Sequence, residues 1–254
     1  MSRKRSILIT GAAAGIPRGI AGSFAASGDG VTITYRPGGT PPDETLALVR
    51  AHDSAARAYP IDFLDVGALE ASLRDAVRES GPFDVLVHGV GPMVVRRFER
   101  ATFEDYRAML DGNLTSAVIA AGAVLPGMRE RAFGRLIFFG MNGSEVTRGV
   151  RGLTFHAAAK SGLVAFAKSL ALEEGRYGIT VNVVEPGDIR DKTRDRAAAL
   201  RESAPNPRGR PGSWEDIADA VRFLASDASD FINGAVLAVT GGLSEPYERT
   251  AKPS

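Results

Sequence analysis

What most constrains this chain is an alternation that runs along nearly all of it. Short apolar runs, each closed by glycine or a polar turn, are separated by helical patterns of roughly ten to twenty residues. Ile7-Leu8-Ile9-Thr10 stops at Gly11, and Val31-Thr32-Ile33-Thr34-Tyr35 stops at Arg36-Pro37. Further runs fall at 56–61, 83–88, 135–139, 179–184 and 235–239, with helical patterns at 17–26, 43–52, 66–78, 103–125, 155–174 and from about Ser213. Ser213 supplies a capping hydroxyl, and Glu215 and Asp216 put negative charge at the positive end of that last helix.

Strands this apolar, joined through helices, are parallel strands buried on both faces and linked by right-handed crossovers. The sequence therefore predicts an α/β fold: a single doubly wound parallel sheet of about seven strands flanked by helices, a Rossmann fold. Residues 1–244 read as one domain and 245–254 as a polar tail, with no linker, repeat or low-complexity segment between. With 254 residues, 44% of them apolar, the chain has enough material for one substantial core.

A net charge of +1 argues against nucleic acid or an anionic membrane as the main partner, because neither sign dominates the surface. The chain has no cysteine, which excludes disulfides and cysteine-ligated metals and fits a reducing cytoplasm. The start, Met1-Ser2-Arg3-Lys4-Arg5, is basic, but the apolar run after it is too short for a signal core or a membrane span. No later 18-residue apolar stretch stands out, so the expectation is a soluble cytoplasmic protein.

The turn Thr10-Gly11-Ala12-Ala13-Ala14-Gly15-Ile16-Pro17 joins the first strand to the first helix. Small residues let backbone approach a pyrophosphate, and the helix N-terminus offers amide donors with a favourable dipole. Alone such a turn signals little. After the first strand of an alternating chain it points to a nucleotide.

Together with Asp62, Asn113 in Gly112-Asn113-Leu114, Lys160, Pro186-Gly187 and Gly241-Gly242, this turn resembles the short-chain dehydrogenase/reductase family, and within it the 3-oxoacyl-carrier-protein-reductase-like branch. The resemblance covers almost the whole chain. It implies that Gly11, Gly15 and Ile16 line a pyrophosphate, that Asp62 and Phe63 border an adenine, and that Gly89 and Gly91 keep backbone close to the adenosine ribose. It further implies that Pro186, Gly187 and Ile189 meet the nicotinamide, that Lys160 holds its ribose hydroxyls, and that Asn113 anchors a water. Family members that use NAD usually carry a carboxylate at the end of strand two. This chain has Tyr35-Arg36 there, and a guanidinium suits a 2′-phosphate, so NADP(H) is favoured over NAD(H). Relatives commonly form tetramers, which implies a homo-oligomer, tetramer or dimer.

The departures from the pattern carry the chemical question. His156-Ala157-Ala158-Ala159-Lys160 stands where the family has Tyr-x-x-x-Lys. His156 shares a helix face with Lys160, but imidazole is shorter than phenol, and a neighbouring ammonium lowers its pKa. It makes a plausible base and a poor proton donor. Pro17 replaces a glycine, which is tolerable at the first helical position but removes a phosphate donor. His88-Gly89-Val90-Gly91 replaces Asn-Asn-Ala-Gly, with His88 read as a partnered buried group. Counting back from Lys160, Ser144 is the hydroxyl nearest the position of the family's catalytic serine, and Asn142 is a second possible oxyanion donor.

The segment 188–212 carries seven basic residues, including Lys192, Arg194, Arg196 and Arg210, against four acidic ones. Arg96, Arg97, Arg148 and Arg151 lie in neighbouring loops. An anionic or acyl-carrier-linked substrate is one reading, and a solvated basic segment is the other. Three functions stay open: a reductase/dehydrogenase acting on a carbonyl/alcohol pair with His156, Lys160, Ser144 and Asn113 catalytic; a lyase- or isomerase-type enzyme with His156 as base; and a catalytically silent nucleotide-binding relative.

Overall fold

The computed structural model describes residues 4–53, 55–187, 189 and 191–243. Asp188, Arg190 and the tail expected at 245–254 lie outside the described residues. Seven parallel strands form one sheet in the order β3-β2-β1-β4-β5-β6-β7. They are β1 (Ser6–Thr10), β2 (Gly30–Tyr35), β3 (Arg57–Pro60), β4 (Val85–His88), β5 (Gly134–Phe139), β6 (Ile179–Pro186) and β7 (Val236–Val239). The helices are α1 (Gly15–Ala26), α2 (Asp43–Arg50), α3 (Val66–Ser80), α4 (Phe103–Leu110), α5 (Ser116–Glu130), α6 (Thr154–Glu174), α7 (Arg196–Ala199) and α8 (Trp214–Ala225).

The two-residue strand period sorts the core into two layers. Ile7 and Ile9 of β1 face α1 and α8, packing with Ile20, Phe24, Ile217 and Val221. Leu8, between them, faces the other way, against Leu69 and Leu73 of α3 and Ala117 and Ala121 of α5. This double coverage explains why the strands are apolar on both faces.

One helical stretch differs from expectation. The pattern at 103–125 forms α4, then a π-helical turn at Asp111–Thr115, then α5, which continues through Pro126 to Glu130. A proline inside a helix costs about 3 kcal/mol, but Leu125 and Met128 beside it are buried in the core. Phe103–Glu130 is also long and apolar enough to cross a membrane by composition, contrary to the sequence reading. Half of its most apolar window is buried inside the fold, as in a core helix whose small residues pack on a sheet.

The strand order reverses between β1 and β4. In open α/β sheets the carboxyl ends of the strands at such a reversal leave a crevice. Thr10, His88, Phe139 and Pro186 end the four strands that border it here.

Candidate active site

Gly11 and Gly15 turn the chain out of β1 with φ of +66° and +64°, conformations that cost a side-chain-bearing residue energy. The turn is tied to its surroundings by Gly11 N donating to Thr34 Oγ1 (3.1 Å) and Thr45 Oγ1 donating to Ala12 O (2.8 Å). α1 starts at Gly15, so Pro17 is the third helical residue and not the first. It is still tolerated, because amides in a first turn have no acceptor inside the helix. Its ring packs on Gly89, where a Cβ would lie 2.6 Å from Pro17 Cγ.

Two cavities open on this edge. One, of about 270 Å³, is lined by Gly11, Tyr35, Arg36, Asp62, Phe63 and Gly89 among others. The second, of about 350 Å³, is lined by Ile16, Pro17, Met141, Asn142, His156, Lys160, Pro186, Gly187, Ile189 and Lys192 among others. They share Gly89, Val90 and Gly91, so they form two halves of one cleft across the strand reversal.

In the first half, Arg36 Nε lies 3.6 Å from Asp62 Oδ2, and Asp62 Oδ1 accepts from Leu64 N. Phe63 is buried, its ring 5.7 Å from that of His88. Below the shared floor a fully bonded chain fixes β4. Ser116 Oγ donates to Gly112 O, so it accepts from His88 Nε2 (3.1 Å). His88 Nδ1 then accepts from Thr10 Oγ1 (3.0 Å), which in turn accepts from Gly89 N. Burial, and then the charge of Lys160, hold the His88 pKa down at about 3. His88 is a neutral bracket for the turn.

In the second half, Lys160 is buried and Nζ donates to Phe139 O at 2.6 Å. Burial first, and Lys192 second, lower its pKa to about 8. Asn113, at the π-helical turn, spends its amide on Pro92 O and Met109 O (both 3.0 Å). Its Oδ1 is buried without a hydrogen-bond partner. A Cβ on Gly91 would stand 3.1 Å from that oxygen and 3.2 Å from Lys160 Nζ, so the two polar atoms both come close to Gly91.

His156 Nδ1 lies 3.2 Å from Pro92 O. A carbonyl only accepts, so Nδ1 carries the proton and Nε2 keeps a lone pair. Burial, then Lys160, lower the pKa of this ring to about 4. At neutral pH it accepts hydrogen bonds at Nε2 and has no proton to give there.

Ser144 is a correction. It does not line the cleft: it is buried, its Oγ donates to Glu185 Oε1 at 2.6 Å, and it accepts from Met141 N. Glu185 also accepts from Gly143 N (2.9 Å) and Glu145 N (3.0 Å). Counting back from Lys160 leads to a hydroxyl that this carboxylate holds within the β5–α6 loop. Counting forward from the end of β5 finds Met141 and Asn142, which line the cleft. Among the catalytic candidates, His156 and Lys160 thus share the cavity, Asn113 reaches its floor at Gly91, and Ser144 stands apart. Gly15 lines neither half and is overlain by the Lys192 stem.

The basic segment is less available than its composition suggested. Arg194 pairs with Glu202, Arg196 with Asp219 and Asp216, and Arg210 with Asp216 through two nitrogens. Lys192 is the basic residue of that segment that lines the cleft among the described residues, and nothing in the sequence pattern singled it out.

A doubly wound sheet with a glycine-floored cleft at its strand reversal is an architecture in which α/β proteins hold ligands at the switch point. Comparison with known proteins narrows this. A family profile described as Enoyl-(Acyl carrier protein) reductase matches residues 11–244. YtkK of Bacillus subtilis (strain 168) is 34% identical over 252 residues, covering 94% of this chain and 96% of its own. The 3-oxoacyl-acyl-carrier-protein reductase FabG of Escherichia coli (strain K12) is 36% identical over 242 residues, covering 93% and 96%. A solved structure from Bacillus thuringiensis superposes with a TM-score of 0.86 at 31% identity, covering 95% of this chain and 98% of that one. The chain belongs to the short-chain dehydrogenase/reductase family of oxidoreductases, in the branch that resembles 3-oxoacyl-acyl-carrier-protein reductases.

Proposed function

We propose that this protein moves hydride between NADP(H) and a carbonyl/alcohol pair, on a substrate that is anionic or carried as an acyl thioester. The observation that carries this reading is the convergence of Lys160 Nζ and the unpartnered Asn113 Oδ1 on Gly91, in a cleft that continues to Arg36. The positive-φ glycines, the orphan acceptor and the paired cavities fit a nicotinamide dinucleotide. Hydride chemistry is what that group supplies when bound.

The chain's own residues do the rest. Gly11, Gly15, Ile16, Gly89 and Gly91 keep backbone low along the diphosphate and the adenosine ribose, and Tyr35, Arg36, Asp62 and Phe63 border the adenosine. A cation at position 36, with no acid at 35 or 36, suits a 2′-phosphate. Lys160 holds the nicotinamide ribose, and Pro186, Gly187 and Ile189 wall its ring. Asn113 anchors a water beside Lys160. His156 orients a substrate hydroxyl through Nε2 and takes its proton when the alcohol is oxidised. The acyl-carrier-linked substrate is supported by likeness to a 3-oxoacyl-acyl-carrier-protein reductase, and a cytoplasmic homo-oligomer fits the same kinship.

Mixing the protein with NADPH and a 3-oxoacyl thioester, and with NADP⁺ and the matching 3-hydroxyacyl thioester, tests the reading through nicotinamide absorbance. Turnover in either direction supports it, and no turnover with tight coenzyme binding refutes the acyl substrate. A second reading, elimination or isomerisation with His156 as base, is favoured by the fixed Nδ1–H tautomer. It predicts product without any change in coenzyme absorbance.

A further inference from the structure

Lys192 lines the cleft. Its stem lies on Gly15, where a Cβ would stand 3.4 Å from Lys192 Cβ and 3.5 Å from Cδ. Its charge reaches Lys160 and His156 and lowers the pKa of both. No aspartate or glutamate is among the described residues lining that half of the cleft, so none of those residues neutralises the two ammonium groups. The arginines of the same segment, at 194, 196 and 210, are held by carboxylates elsewhere.

Pro17 sits in the first turn of α1 and lines the same half of the cleft as this lysine. It removes one amide from the set that would otherwise point at an anion there. We infer that Lys192 is a clamp for the coenzyme diphosphate, closing over Gly15 and supplying a mobile cation in place of the fixed donor that Pro17 deletes. The inference rests on the dinucleotide reading above. It assigns Lys192 to a phosphate ester and not to the substrate, although a substrate carboxylate is the other anion two ammonium groups would accept. An ammonium on a flexible stem suits a phosphate as a point charge and tolerates variation in its position.

The test is equilibrium binding of NADPH to the full chain, followed by nicotinamide fluorescence, for the wild type, Lys192→Met, Pro17→Gly and the double variant. Lys192→Met is expected to weaken NADPH about tenfold, the scale of one partly exposed charge-assisted contact. Pro17→Gly restores an amide, so the loss from Lys192→Met is expected to shrink in that background. Lys192→Arg is expected to keep most of the affinity. Adenosine 2′-phosphate, which lacks the diphosphate, is expected to bind the wild type and Lys192→Met equally. Melting curves establish that each variant folds.

Unchanged NADPH affinity in Lys192→Met overturns the clamp, even if that variant handles anionic substrates poorly. An equal loss in both backgrounds overturns the exchange with Pro17. Failure of the wild type to bind NADPH or NADH overturns the dinucleotide reading itself and the clamp with it, a result no Lys192 variant can produce.

Discussion

Replacing Glu185 by glutamine isolates the device that displaced Ser144 from the cleft. The Glu185 side chain is nearly fully buried, at 3% exposure, and accepts three hydrogen bonds from consecutive residues of the β5–α6 loop. Glutamine keeps the volume but can present only one oxygen. Oε1 takes the Ser144 hydroxyl and Glu145 N, so the amide nitrogen falls opposite Gly143 N, where two donors face each other. One charge-assisted hydrogen bond is lost and a buried donor is left unsatisfied, a cost of about 1.5–3 kcal/mol. For a chain of this size that is a fall in Tm of about 3–12 °C. Ser144→Ala, which removes one bond to the same carboxylate and the acceptor of Met141 N, is expected to cost about 1.5–3 kcal/mol. Because Met141 and Asn142 ride on the pinned loop, Glu185→Gln is also expected to weaken substrate handling more than NADPH binding. Scanning calorimetry and coenzyme titration read the two effects. A Glu185→Gln melt within a degree of wild type refutes the claim that this carboxylate fixes the loop.

Three further outcomes follow from the site. His156 and His88 have folded-state pKa values of about 4 and 3, below the ordinary histidine range, so the unfolded chain binds more protons between those values and about 6.5. Stability is therefore fully present above about pH 6.5 and falls as pH drops toward 4, and NMR titration of a His156 resonance with a midpoint near 6.5 would contradict this. Arg36→Ser is expected to cut the preference for NADPH over NADH about tenfold, and equal ratios in the two proteins count against a 2′-phosphate contact. His156→Tyr restores the family's proton donor: a large gain in reductase rate points to a silent relative, and a loss gives the imidazole a chemical role.

The fold and the sheet edge that carries the cleft were legible because their signals are local. Strand apolarity on both faces, the small residues of the turn from Gly11 to Gly15, and helix spacing between His156 and Lys160 can all be read without knowledge of long-range packing. The parts that were misread depend on contacts distant in sequence. Ser144 was expected beside the substrate, whereas Glu185, 41 residues away, holds its hydroxyl. The basic segment looked free because its carboxylate partners at 216 and 219 belong to another helix. Helix 103–130 exceeded its expected end because buried neighbours outweighed Pro126. Lys192 was one of seven basic residues in its segment with nothing local to single it out, since only its contact with Gly15, far away in sequence, brings it to the cleft.

The most direct test of the central claim is a crystal structure of the protein grown with NADPH. The account predicts the diphosphate over the Gly11–Gly15 turn, the 2′-phosphate beside Arg36, and the nicotinamide ribose on Lys160. A structure with the coenzyme absent from this cleft or bound elsewhere would contradict it.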